Sequence, residues 1–179
     1  MNKHLRAAAA AAAVSGALAI SAPAQAATYL GTNGTPPVVV ADYSSAGLIS
    51  FDIDFLAATS ATLRYGITAA DLIGMGVTFN AVLRNLAGTG FSGYGFGLSS
   101  GAFEEVGTVT RQFGGSSSIS FGGSQATVTF SPLEFLDVEI GDPLLAGGNR
   151  VDWSIDGLDA GAVLSITVTA VPEPATYAL

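Results

Sequence analysis

The sequence predicts an all-β chain, an antiparallel β-sandwich of jelly-roll type with at most one short helix. Two observations carry that expectation. Apolar residues alternate with polar ones at period two along most of the chain, and glycine-rich turn signals separate the alternating runs.

In chain order, Ile49, Phe51, Ile53 and Phe55 alternate with Ser50, Asp52 and Asp54, a strand with one face buried and one wet. Ala61, Leu63, Tyr65 and Ile67 repeat the device against Thr62, Arg64 and Gly66. Thr68-Ala69-Ala70-Asp71 then resembles a capping box leading into Leu72-Ile73, and Gly74 and Gly76 limit any helix there to a turn or two. Val77, Phe79, Ala81 and Leu83 resume the alternation, followed by Tyr94, Phe96 and Leu98 with Gly95 and Gly97 between them. Four further strands are centred on Val128, Val138, Trp153 and Ile166. Leu136 and Val151 are expected to share the buried faces of the second and third of these. Asn33-Gly34, Gly114-Gly115, Gly122-Gly123, Gly141-Asp142-Pro143, Gly147-Gly148-Asn149 and Asp156-Gly157 are the turns.

The N-terminus has a different character. Lys3 and Arg6 form a short positive start, Ala7 to Ile20 is uncharged and apolar, and Ala24-Gln25-Ala26 supplies a small-x-small exit. The apolar part is too short for a permanent anchor, so residues 1–26 read as a secretory signal removed by signal peptidase between Ala26 and Ala27, with cleavage after Ala24 as the alternative. Residues 27–170 then form the sandwich domain, and residues 171–179 leave it.

Cleavage would change the chemistry of the chain. Lys3 is the only lysine, His4 the only histidine, and there is no cysteine. Loss of Lys3 and Arg6 leaves Arg64, Arg84, Arg111 and Arg150 against fourteen carboxylates, a net charge of −10. Such a charge repels phosphate backbones, so nucleic acid is excluded as a partner. Without histidine, cysteine or lysine there is no Ser-His-Asp triad, cysteine nucleophile, Schiff base or phosphate-loop lysine. The remaining catalytic option is a carboxylate pair of the glycosidase kind. Glu104 and Glu105 are adjacent and should point to opposite faces of a strand, and Glu134 and Glu139 should also diverge, so all four read as solvated surface acids. The expectation is a protein that is not an enzyme.

Asp152, Asp156 and Asp159 gather around one turn, with Asp142 in reach, and form the candidate calcium set. Asp152 and Asp156 stand too far apart on one strand face to share an ion unless the strand breaks. Trp153, Tyr94 and Phe96 read as core, while Tyr43 and Tyr65 are the candidates for exposed rings that could stack on a sugar. Thr108-Val109-Thr110, Thr127-Val128-Thr129 and Thr167-Val168-Thr169 each place two threonines on one strand face. Flat arrays of that kind occur in ice-binding proteins, although threonine is also an ordinary strand residue.

The last nine residues carry a resemblance. Val171-Pro172-Glu173-Pro174, followed by Ala175-Thr176-Tyr177-Ala178-Leu179, resembles the opening of the PEP-CTERM sorting signal of exported proteins in exopolysaccharide-producing Gram-negative bacteria. In that family an apolar helix and an arginine cluster follow, and a membrane enzyme, exosortase, recognises the whole tail. Neither follows here, so this chain is expected to be released as soluble protein after signal cleavage. The resemblance implies passage through the periplasm to the cell surface or extracellular matrix. It also implies exosortase as a partner where the tail is complete, and a structural or adhesive role linked to exopolysaccharide. A carbohydrate-binding module is the alternative, followed by an ice-binding protein and a glycosidase-like enzyme. No cofactor is expected beyond the calcium option.

Overall fold

A computed structural model describes residues 27–33, 38–74 and 76–174. The signal segment and its Ala26 side of the cleavage site lie outside the described residues, as do residues 175–179 of the tail. Among the described residues there are thirteen strands and no helix. They are β1 (Thr28–Asn33), β2 (Val38–Asp42), β3 (Leu48–Phe55), β4 (Ser60–Gly66), β5 (Val77–Asn85), β6 (Phe91–Leu98), β7 (Ala102–Glu105), β8 (Val109–Arg111), β9 (Ser116–Gly122), β10 (Gln125–Glu134), β11 (Asp137–Ile140), β12 (Trp153–Asp156) and β13 (Val163–Pro172).

The strands form two sheets packed face to face, the β-sandwich that the alternation predicts. The first sheet runs β1-β4-β13-β6-β10-β9 and is antiparallel throughout. The second runs β2-β3-β5-β11-β8, with β12 beside β5 at its other end and β7 beside β12. One neighbouring pair is parallel, β3 with β5, because β4 crosses to the first sheet between them.

Period-two patterning becomes packing directly. Phe51, Phe55, Phe79, Tyr94, Phe96 and Trp153 are buried between the sheets. The Trp153 ring centroid lies 5.4 Å from Phe79, 5.2 Å from Phe96 and 5.8 Å from Phe103, so one indole ties three strands of both sheets together. Each such large side chain contributes about 1.5–3 kcal/mol by burial, and each ring pair a further ~0.5–1.5 kcal/mol.

Several expectations need correction. Residues 68–73 make turns rather than a helix. The Asp71 carboxylate folds back to accept from the Thr68 N–H at 2.8 Å and the Thr68 hydroxyl at 2.6 Å, while Gly74 and Gly76 sit at φ of 123° and 93°, outside helical space. Tyr65 is fully buried, its hydroxyl donating to Asp42 Oδ1 at 3.2 Å, so it offers no exposed ring. Leu136 and Val151 precede their strands and are about half exposed. β13 extends through Val171 and Pro172, paired with Gly93 and Phe91 of β6, so the sandwich holds the first two residues of the tail motif.

Candidate functional site

The most distinctive surface is the outer face of the first sheet. On β6, Gly93, Gly95 and Gly97 point outward because Tyr94, Phe96 and Leu98 point into the core. The flanking strands are β13 and β10. Registration sets Thr169 beside Gly95 from one side and Thr127 beside it from the other; Thr167 lies beside Gly97 and Thr129 beside Gly93. The missing side chains of Gly95 and Gly97, with Thr127 on one side and Thr167 and Thr169 on the other, leave a trough of about 330 Å³ that Ser99, Gln125 and Ser165 also line, while Gly93 and Thr129 lie outside it.

Further hydroxyls extend the face on both sides. Thr62 Oγ1 lies 2.8 Å from Thr167 Oγ1, Ser60 Oγ 2.8 Å from Thr169 Oγ1, and Ser118 Oγ 2.6 Å from Thr129 Oγ1. Each hydroxyl has one proton and two lone pairs, so a paired hydroxyl keeps capacity for a ligand.

The three glycines are there for different reasons. A Cβ at Gly93 would lie 2.2 Å from the Val128 carbonyl oxygen, so the backbone demands glycine. At Gly97 the nearest atom would be the flexible Gln125 amide, at 3.1 Å. At Gly95 a Cβ would meet only Thr169 Cβ, at 3.9 Å, an ordinary contact. Glycine weakens a strand interior by about 0.5–1 kcal/mol relative to alanine, and packing does not require it at position 95. What Gly95 secures is the depth of the trough.

The carboxylates are arranged differently from the sequence expectation. Glu134 and Glu139 are buried, not solvated. An irregularity in β10 between Thr129 and Glu134 turns Glu134 inward, where Oε2 accepts from Arg111 Nε at 2.8 Å and Oε1 from the N–H groups of Phe135 and Leu136. Arg111 also donates to the carbonyls of Ser116, Ser131, Pro132 and Leu133 and lies over the Phe130 ring at 4.8 Å. Every acceptor and donor of that pair is engaged, which suits a structural lock. Glu139 pairs with Arg150. Glu104 and Glu105 are exposed as expected, but instead of diverging both line one hollow of about 540 Å³ with Thr78 and Asp152. Glu105 pairs with Ser154 while Phe103 pairs with Ile155, so Glu104 is the extra residue of a β-bulge.

The calcium candidates are dispersed. Asp152 accepts from Asn80 Nδ2 at 3.2 Å and from the Asp142 N–H at 2.7 Å; Asp156 is exposed at the end of β12, and Asp159 lies in the following turn. No group of three or more His, Cys, Asp or Glu side chains among the described residues is placed to hold a metal ion. Of the exposed rings, Tyr43 is 62% exposed as the sequence suggested, and Phe113 and Phe135 form an exposed pair 5.3 Å apart that the alternation did not reveal; none of them lines the trough.

Of the three threonine pairs, two share this face and the third does not. Thr110 is on β8 of the second sheet, opposite Glu139. The signals for the trough, Gly95-Phe96-Gly97 and the two Thr-Val-Thr runs, were in the sequence, and strand order was the missing piece. Comparison of the chain with protein-family models, with curated proteins and with solved structures returned no match.

Proposed function

We propose that this is an exported, non-enzymatic β-sandwich of the bacterial surface or matrix, which contacts neutral polysaccharide through the hydroxyl-lined trough. The observation that supports it best is the pair Gly95 and Gly97 on β6, set between Thr127 of β10 and Thr167 and Thr169 of β13. Sugar hydroxyls both donate and accept, as threonine and serine do, and the glycine floor lets a ring approach the backbone closely. The net charge of −10 after signal removal disfavours polyanionic glycans, which leaves neutral chains as the preferred class. Without an aromatic platform each contact is weak. That suits adhesion through many repeated contacts along a polymer, where effective concentration supplies avidity.

The signal segment and the Val171-Pro172-Glu173-Pro174 resemblance support the address; the trough supports the role. Ice binding draws on the same threonine rows, but the glycine row sinks the face where an ice plane needs it flat. The test is affinity electrophoresis through gels containing neutral glucans, galactans or mannans. Retardation of the native protein by at least one of them, lost in Gly95→Val and kept in Arg84→Ala, is the expected result. Free migration in all of them, or retardation unaffected by Gly95→Val, overturns the reading.

A further inference from the structure

Asp71 is a buried carboxylate without a cation. It has no exposed surface, and among the described residues no arginine pairs with it. Its partners are neutral donors from three separate parts of the chain. Thr68 donates from its backbone and hydroxyl, Gly47 donates its N–H at 3.1 Å, and the N–H of Ala27 is the fourth donor. Burial alone would push this carboxyl up, and the donors together outweigh it and hold Asp71 below the ordinary aspartate range.

The position of Ala27 follows from the strand pairing. Thr28 sits opposite Gly66 in the β1–β4 ladder, so the residue before Thr28 is delivered to the start of the loop that carries Thr68 and Asp71. Ala27 is 4% exposed and packs with the core. Ala27 is also the residue that the signal-cleavage pattern makes the new N-terminus.

We infer that the Asp71 site is a binding site for the α-ammonium group released when the chain is cut between Ala26 and Ala27. Cleavage converts one neutral donor of a buried anion into a cation, completing an ion pair that the uncut chain lacks. A buried carboxylate already desolvated gains most from such a partner at contact distance. Removal of the signal thereby tightens the junction of β1, the turn at Gly47 and the loop at 67–74, so the cut form is the more stable fold. The ammonium, stabilised in the folded state, titrates above its ordinary value of about 7.7–8.0. Its contribution is therefore full below that value and is lost as pH rises through the raised one.

This inference rests on the export reading, and the composition makes it testable. With Lys3 removed, the α-amine is the only primary amine left in the protein. The full chain is exported from a bacterial host, its mass is measured, and it is treated with the N-hydroxysuccinimide ester of acetate, folded and in urea. A chain starting at Ala27 whose amine acylates about tenfold or more slowly when folded, equivalent to one unit of pKa, is the expected result. Asp71→Asn should bring the folded rate to the unfolded one. Should that variant fail to fold, a form starting at Gln25 serves instead, because its amine is displaced from Asp71 and should react at the unfolded rate. Equal rates for the folded and unfolded Ala27 form overturn the inference, as does exported protein that starts naturally at Gln25, which leaves the export reading standing. Exported material that retains Met1 overturns both.

Discussion

The two outer faces of the sandwich are built from opposite chemistry. The face of the first sheet is mostly glycine, threonine and serine, with Gln125, Val163 and Val171 among them and Arg64 at its β4 side as the charged member among the described residues. The face of the second sheet is ionic. Arg84 on β5 reaches Asp52 at 2.6 Å and Asp54 at 2.8 Å on β3, with Asp137 of β11 at 3.8 Å, while Glu139 takes Arg150. Period two makes both faces wet, yet they do different things. Charges on the second face satisfy one another within the protein, whereas the hydroxyls of the first keep donors and acceptors available to a ligand.

Where the two sheets close, the Arg111–Glu134 pair is the most sensitive point. Glu134→Ala leaves a buried guanidinium without its anion and should cost about 3–5 kcal/mol in urea denaturation. A loss below about 1 kcal/mol would mean that the carbonyls around Arg111 suffice without the carboxylate.

On the ionic face, Arg84→Ala leaves Asp52, Asp54 and Asp137 facing one another. Its guanidinium is about one-third exposed, so solvent screening limits the loss to about 1 kcal/mol, shrinking further in high salt. A loss independent of salt would show that packing of the arginine stem dominates. Asp137 is the surplus member: burial raises its carboxyl more than Arg84 lowers it, and Asp54 and Glu134 add repulsion. Its folded state therefore favours the protonated form, and it opposes folding as pH rises above the ordinary aspartate value. Asp137→Asn should leave stability at pH 7 unchanged or improved. A clear loss in thermal unfolding would make the 3.8 Å contact with Arg84 an attractive pair after all.

Asp71 has the opposite sign. Its lowered carboxyl contributes stability that is present above the ordinary aspartate value of about 3.9 and is lost as pH falls through the lowered one. Asp71→Asn should flatten the acid limb of the stability profile; an unchanged limb would assign acid sensitivity to other carboxylates.

The smallest effect belongs to the first face. Gly95→Val adds a strand-favouring side chain at an ordinary contact distance, so stability should change by less than about 1 kcal/mol, with a gain more expected than a loss. A large loss would mean that β6 needs glycine at 95 as it does at 93, which would remove the argument that the trough is there for a ligand.

Alternation alone identified eight of these strands, the sandwich class, and the burial of Trp153, Tyr94 and Phe96, because inward and outward positions on a strand differ by one residue and nothing else. β9 was invisible to that test, since Ser116, Ser117 and Ser118 are all exposed at a sheet edge and carry no alternation. Glu134 and Glu104 misled for a related reason. The irregularities in β10 and β7 break the period on which their placement depends, and a bulge leaves no clear mark in composition. Tyr65 was legible as a strand residue, but only packing of β1 and β2 residues against it decided that its hydroxyl would reach Asp42 in the interior. The sequence by itself determined which residues face out on β6, β10 and β13. That these three strands are neighbours, so that Gly95 lies between Thr127 and Thr169, was decided by the tertiary structure alone. The order of these three strands depends on contacts between residues as far apart as Val171 and Gly93, and a local pattern holds no record of them.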